Sequence, residues 1–126
     1  MARPDSVRRV KSYSAANGFV YQYFFFEVNR LDEGKGGPIG EFIYAVSSDR
    51  KNTYGVRILV YQSALEAWAN INGRSLTSSE EYAVAKMRLF QAFDEGAVPS
   101  DLEGGAAITF QVDQSNLESL LHTLNI

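Results

Sequence analysis

The segment from residue 19 to residue 31 most constrains the fold, because it is apolar on both of the faces that a strand presents. Its sequence, FVYQYFFFEVNRL, is rich in aromatic and β-branched residues, which favour a pleated sheet. Asn17-Gly18 stands directly before it and predicts a tight hairpin turn, since both residues tolerate a positive φ. We therefore expect a long strand over 19–31 that pairs with a shorter strand over 7–15.

Two further segments, 41–48 and 53–61, alternate apolar and polar residues on either side of a polar turn at 49–52. An alternation with a period of two indicates strands, and the short turn indicates a second antiparallel hairpin. The glycine-rich stretch 32–38 between the two hairpins predicts a loop, because three glycines and a proline sustain no regular period.

The apolar period then becomes helical. Ser63 is the expected cap of a short helix that ends at Asn72-Gly73. The run Thr77-Ser78-Ser79-Glu80 has the form of a capping box and predicts a second helix that continues to Gly96. A last strand is expected over 107–113, followed by a terminal helix capped by Ser115.

The order β-β-β-β-α-α-β-α predicts an α+β fold, with an antiparallel β-meander of about four to five strands and helices packed on one face. The chain has 126 residues, which suits one domain over 1–126. We expect residues 1–6 to form a frayed N-terminus.

Composition excludes several classes of protein. The 12 Lys and Arg against 15 Asp and Glu give a net charge of -3, which is too balanced for general attraction to nucleic acid or to an anionic membrane. The absence of cysteine excludes disulfides and thiolate chemistry and suits a cytoplasmic protein. We find no secretory signal and no apolar stretch long enough for a membrane span, so we expect no membrane partner.

The long strand has more apolar surface than a one-sided sheet needs. Helices can cover only one of its faces, so the other must pack on the protein's own core or meet a partner. Our first hypothesis is a non-enzymatic interaction module that forms a homodimer through Tyr21, Tyr23 and Phe25. The alternative is that curvature of the sheet or a terminal helix buries this face.

A second hypothesis concerns Lys86, which falls within the apolar stripe of the second predicted helix. It predicts a small-molecule or peptide pocket between the sheet and this helix, with Lys86 as the anchor for an anion. The other interpretation is that Lys86 lays its methylene groups on apolar surface and carries its ammonium group to water. The predicted pocket is lined by Tyr44, Tyr54, Tyr82, Lys86 and Phe90.

A third hypothesis is single-stranded nucleic-acid binding, because the basic residues Arg8, Arg9 and Lys11 lie beside the aromatic strand. The acidic composition makes nucleic acid an unlikely partner.

No linear catalytic or cofactor motif is present in the sequence. His122 is the single histidine, and Gly34-Lys35-Gly36-Gly37 has neither the spacing nor the following helix of a phosphate-binding loop. We expect no cofactor, no metal and no enzymatic activity, although Tyr, Glu and Lys can support acid–base chemistry without a linear motif.

Overall fold

A five-stranded sheet forms the centre of the fold, with the strands in the spatial order β1-β2-β3-β4-β5. The computed structural model describes residues 9–32, 37–49, 51, 53–98 and 108–126. The strands are β1 Lys11–Ser14, β2 Val20–Asp32, β3 Pro38–Ser47, β4 Tyr54–Tyr61 and β5 Ile108–Val112. The helices are α1 Gln62–Asn72, α2 Ser78–Asp94 and α3 Leu117–Thr123. The predicted order and the α+β class are confirmed.

The direction of the last strand corrects the prediction of a fully antiparallel sheet. Strands β1 to β4 pair antiparallel, but β5 runs parallel to β4, with Val56 opposite Ile108 and Val60 opposite Val112. A parallel neighbour requires a long crossover connection, and α1 and α2 lie in that connection. Alternation of apolar residues has the same period in either direction, so the sequence pattern did not reveal it.

All three helices lie on one face of the sheet, as predicted. Their buried residues form a single core cluster with the inward residues of the strands. The largest helical contribution comes from α2, and α3 adds a stripe of leucines. The buried residues of these two helices include Val84, Ala85, Leu89, Ala92, Phe93, Leu117, Leu120 and Leu121.

A β-bulge divides the long strand and changes which residues face the helices. Phe25 is opposite Tyr44 and Glu27 is opposite Ile43, so Phe26 is an extra residue without a ladder position of its own. After the bulge Val28 lies opposite the buried Phe42 and therefore faces the helices. Strict alternation along the predicted strand over 19–31 assigns Val28 to the same face as Val20 and Phe24. The inserted residue reverses the phase of the strand, and this corrects that assignment.

The helix ends agree with the sequence signals at some positions and not at others. Thr77 and Glu80 form the predicted capping box, and Gly73 ends α1 with a φ of 73°. Ser63 does not cap α1, because β4 runs directly into the helix and Tyr61 holds the N-cap position. Ser115 does not cap α3, whose N-cap is Asn116.

Two strand boundaries differ from the prediction. Strand β3 begins at Pro38, because a proline is tolerated at the first position of a strand. Strand β1 begins at Lys11, and the predicted residues 7 and 8 lie outside the described part of the chain. The predicted loop over 32–38 is described only in part.

Candidate functional site

The residues predicted as a dimer interface lie inside the protein. Tyr21 and Tyr23 are 1% and 5% exposed, and Phe25 is partly buried against the same core. The Tyr21 ring stacks on Phe93 of α2 with the ring centroids 4.3 Å apart. These residues are on the wrong face for an interface, because the helices cover the side of the sheet to which they point.

The opposite face of β2, β3 and β4 carries the exposed apolar surface. Phe26 is 41% exposed and Val20 is 44% exposed on this face, and other apolar side chains beside them are half-buried. We call this surface the open face. In the described part of the chain, no helix packs on it. Its apolar residues include Val20, Phe24, Phe26, Ile43, Ala45 and Leu59.

Two shallow depressions lie side by side on the open face. One, of about 310 Å³, is lined by Phe24, Ala45 and Thr53 among others. The second, of about 280 Å³, is lined by Phe26 and Ile43 and shares Ala45 and Thr53 with the first. Ala45 is opposite Phe24 in the β2–β3 ladder, and its small side chain lines both depressions.

A polar group of three residues lies on the open face beside the apolar part. Glu41 accepts hydrogen bonds from Asn29 Nδ2 at 2.9 Å and from Arg57 Nε at 2.6 Å. The hydrogen bond from Asn29 lowers the pKa of Glu41, and Arg57 lowers it further against the opposing effect of burial. The carboxylate is therefore ionised, and its charge is balanced by Arg57 within the same chain.

The residues predicted to line a pocket lie at three places on the side of the sheet that faces the helices. Tyr44 and Tyr82 both pack against Phe25, and their rings fill the space between the sheet and α2. Phe90 lies farther along α2 and stacks on Tyr13 with the centroids 4.2 Å apart. Tyr54 is buried on β4, and Val46 separates it from Tyr23 in the sheet. The structure therefore brings Lys86 and Phe90 together but not the full predicted set.

Lys86 lies at the border of the buried face of α2 rather than at its centre. Its Nζ is 5.9 Å from the centroid of the Tyr23 ring and 5.8 Å from that of Phe90. Burial lowers the pKa of Lys86, and the neighbouring ammonium group of Lys11 lowers it further. Within the described residues, neither lysine forms an ion pair with a carboxylate.

The approach of Lys11 to Lys86 was not predicted. Lys11 is opposite Tyr23 in the β1–β2 ladder, so its side chain leaves the sheet on the side of α2. The register of the Asn17-Gly18 hairpin could have indicated this position, but the proximity of Lys86 depends on where α2 packs. Of the predicted basic patch, Arg9 is exposed, Lys11 joins Lys86, and Arg8 lies outside the described residues.

Comparisons with known proteins add no family or relative. No protein-family model matches the chain, and neither the curated proteins nor the solved structures include a match. The open face and the two lysines therefore provide the basis on which a function can be proposed.

Three further observations concern the described residues. Their helices include none that is long and apolar enough to cross a membrane. They also include no cluster of three or more His, Asp or Glu side chains with the geometry of a metal site.

His122 is exposed and lines a depression of about 380 Å³ between the end of α1 and α3, together with Trp68 and Arg74.

Proposed function

We propose that this protein is an interaction module that forms a homodimer by packing its open face against the open face of a second copy. The observation that carries the proposal is the exposure of Phe26 and Val20 on a sheet face that no described helix covers. A contiguous apolar surface of this kind is uncommon on a monomer and is typical of interfaces. The proposal keeps the homodimer predicted from the sequence but moves its interface to the opposite face.

The charge distribution favours a second copy as the partner. A two-fold interface places the same surface on both sides, so the surface must not repel itself. Arg57 and Glu41 neutralise each other within the chain, and Glu27, opposite Ile43, is the remaining charged residue that strands β2, β3 and β4 place on this face. The open face therefore carries a net charge of one unit, which is too small to select a strongly charged partner.

The dimensions of the open face are compatible with a stable dimer. Strands β2, β3 and β4, about 4.8 Å apart and about eight residues long, form a face on the order of 400 Å² before the protrusion of the side chains is counted. A standard interface buries roughly 800 Å² on each partner. Most of the open face must therefore take part, and the polar group around Glu41 would be included together with Phe24 and Phe26.

The test is the solution mass of the protein and of matched variants, measured by size exclusion with light scattering over a range of concentrations. The wild type should be a dimer, and Phe26→Asp should be a monomer because it places an unpaired charge in the interface. Phe19→Asp is the control. Phe19 is 48% exposed, but its ring contacts Tyr21 on the side of the helices, so this variant should remain a dimer.

Leu59→Arg is a second variant on the open face. Because Leu59 lies outside the bulge, loss of the dimer in this variant could not come from a disturbed bulge at Phe26. Circular dichroism should show that the variants remain folded, since each changed side chain is at least partly exposed. A wild type that is monomeric at every concentration would contradict the proposal. So would a Phe26→Asp variant that remains as dimeric as the Phe19→Asp control.

A further inference from the structure

Two lysine side chains from distant parts of the sequence meet on the side of the sheet that faces α2. Lys11 is placed there by its pairing with Tyr23, and Lys86 lies over the rings of Tyr23 and Phe90 at 5.9 and 5.8 Å. The two ammonium groups are near enough to influence each other directly. This lysine pair lies on the opposite side of the sheet from the open face, so it is independent of the proposed dimer.

The surroundings of the lysine pair supply positive charge and donors but no balancing acid. The ion pairs among the described residues all involve arginine. The nearby carboxylate of Asp94 already accepts hydrogen bonds from the Tyr13 hydroxyl at 2.7 Å and from the Ala16 amide at 2.9 Å. Contacts between the Lys86 ammonium group and the rings of Tyr23 and Phe90 offset only part of the cost of bringing two like charges together.

Two phenol side chains lie on the same side of the sheet as the lysine pair, with the ring centroids of Tyr23 and Tyr44 6.5 Å apart. The Tyr44 hydroxyl is fully buried and has no hydrogen-bond partner within the described part of the chain. Burial raises the pKa of Tyr44, and the phenols of Tyr82 and Tyr23 raise it further. The Tyr44 and Tyr82 hydroxyls do not meet with hydrogen-bond geometry. Burial also raises the pKa of Tyr23, and Tyr82 adds to this effect. The pKa values of Tyr23 and Tyr44 are therefore both raised, and these two phenols keep their protons at neutral pH.

We propose that Lys11 and Lys86 bind a dianionic phosphate group, either free or as a monoester, beside the rings of Tyr23 and Phe90. Two ammonium groups match the charge of a phosphate dianion, and lysine is a common phosphate-binding residue that acts as a compact point charge. The bound oxygens would accept hydrogen bonds from the two ammonium groups and remove their mutual repulsion. The wide spacing of the two lysines in the sequence explains why no phosphate-binding motif is visible there.

The test is thermal unfolding of the full chain in inorganic phosphate, in phenyl phosphate and in sodium chloride at equal ionic strength. A ligand that binds only the folded state at about tenfold above its Kd should raise the Tm by about 5 °C for a chain of this size. The ligand with the larger shift at equal concentration identifies whether the free ion or the monoester is preferred. Equal Tm values in phosphate, phenyl phosphate and chloride would overturn the proposal.

Matched variants distinguish whether Lys11 and Lys86 bind phosphate or only pack against the neighbouring rings. Lys86→Met should melt about 3 °C higher than the wild type in chloride, because the like charge is removed, and should lose the phosphate shift. Lys11→Met, at an exposed strand position, should also lose the shift. Lys51→Met is the control, since Lys51 is an exposed lysine in the β3–β4 turn, and it should keep the full shift.

The opposite pattern would overturn the proposal. If Lys86 only packs on the two rings, Lys86→Met would melt at a lower temperature in chloride, and Lys11→Met would keep the phosphate shift. Should Lys86→Met fail to fold, the comparison between Lys11→Met and Lys51→Met still decides the result. The oligomeric state has no part in this measurement, so its outcome is separate from that of the dimer test.

Discussion

Arg30 and Glu81 form a two-pronged ion pair between the end of the longest strand and the first turn of α2. The Nη1 atom of Arg30 donates to Oε2 of Glu81 at 2.7 Å, and Nη2 donates to Oε1 at 3.0 Å. Gln62 donates a third hydrogen bond to Oε2 at 2.9 Å. Glu81 is buried, so these donors replace the water that its carboxylate lost on folding.

Removing the guanidinium group of Arg30 should destabilise the protein, because the buried carboxylate of Glu81 would keep only the hydrogen bond from Gln62. We expect Arg30→Met to lower the free energy of unfolding by about 2 kcal/mol, which is less than for a fully buried pair because Arg30 is half exposed. Chemical denaturation measures this change. Arg74→Met is the matched control, since Arg74 pairs with the adjacent and more exposed Glu80. A loss for Arg74→Met as large as that for Arg30→Met would contradict the role of burial.

Gly40 provides the space in which this ion pair forms. A Cβ atom at this position would lie 2.8 Å from Arg30 Nη1 and 2.9 Å from Glu81 Oε2. We expect Gly40→Ala to cost about 1–2 kcal/mol by forcing the pair apart. Gly55→Ala is the control on β4, where a Cβ would have no neighbour within 4 Å.

A double-mutant cycle tests the cause of the Gly40 effect. If the added methyl group acts through the ion pair, Gly40→Ala should cost clearly less in the Arg30→Met background than in the wild type. Equal costs in both backgrounds would show that the strain comes from elsewhere, such as the Phe42 ring, which would lie 3.2 Å from the new atom.

The capping box at the start of α2 should contribute measurably to stability. Thr77 Oγ1 accepts a hydrogen bond from the Glu80 amide at 3.1 Å, and the Glu80 side chain accepts one from the Thr77 amide at 2.9 Å. Thr77→Ala should lower the free energy of unfolding by about 1 kcal/mol. Ser78→Ala changes the first helical residue and serves as the control. The prediction fails if both variants unfold at the same denaturant concentration.

Stability should fall as the pH rises from about 10 to about 12. Burial, followed by the hydrogen bond to Asp94, raises the pKa of Tyr13 to about 12 from its ordinary value of 10.0. Burial also raises the pKa of Tyr54 to about 12. Between these two pH values the folded protein binds more protons than the unfolded chain, so alkali favours unfolding.

Substitutions can assign the fall in stability at alkaline pH to particular tyrosines. Tyr13→Phe removes one of the groups, so its free energy of unfolding should decline less steeply with pH in this window. A phenolate absorbance titration of Asp94→Asn should show a tyrosine that ionises at lower pH than in the wild type. Denaturation curves of Tyr13→Phe with an unchanged pH slope would rule out this assignment.

The order of the elements was predictable because it depends on local patterns. Asn17-Gly18, the capping box at Thr77 and the leucine stripe of α3 each report on a few neighbouring residues. The capping box and the stripe were confirmed, and the hairpin was confirmed although only Gly18 takes the positive φ expected of both turn residues. The helix caps predicted at Ser63 and Ser115 were wrong because the neighbouring strand or turn sets the start of each helix. A helix-cap signal depends on neighbouring residues, whereas the position at which the chain leaves the sheet depends on tertiary packing.

The sequence by itself determined the α+β class, the element order and the side chains able to form a core. Tertiary structure alone decided which aromatic face was covered, because one extra residue at Phe26 reverses the phase of β2 and helix packing selects the face. It also decided the direction of β5, the proximity of Lys11 to Lys86 and the ion pair between Arg30 and Glu81. These pairs join residues 51 or more positions apart, and no local period encodes contacts at such separations.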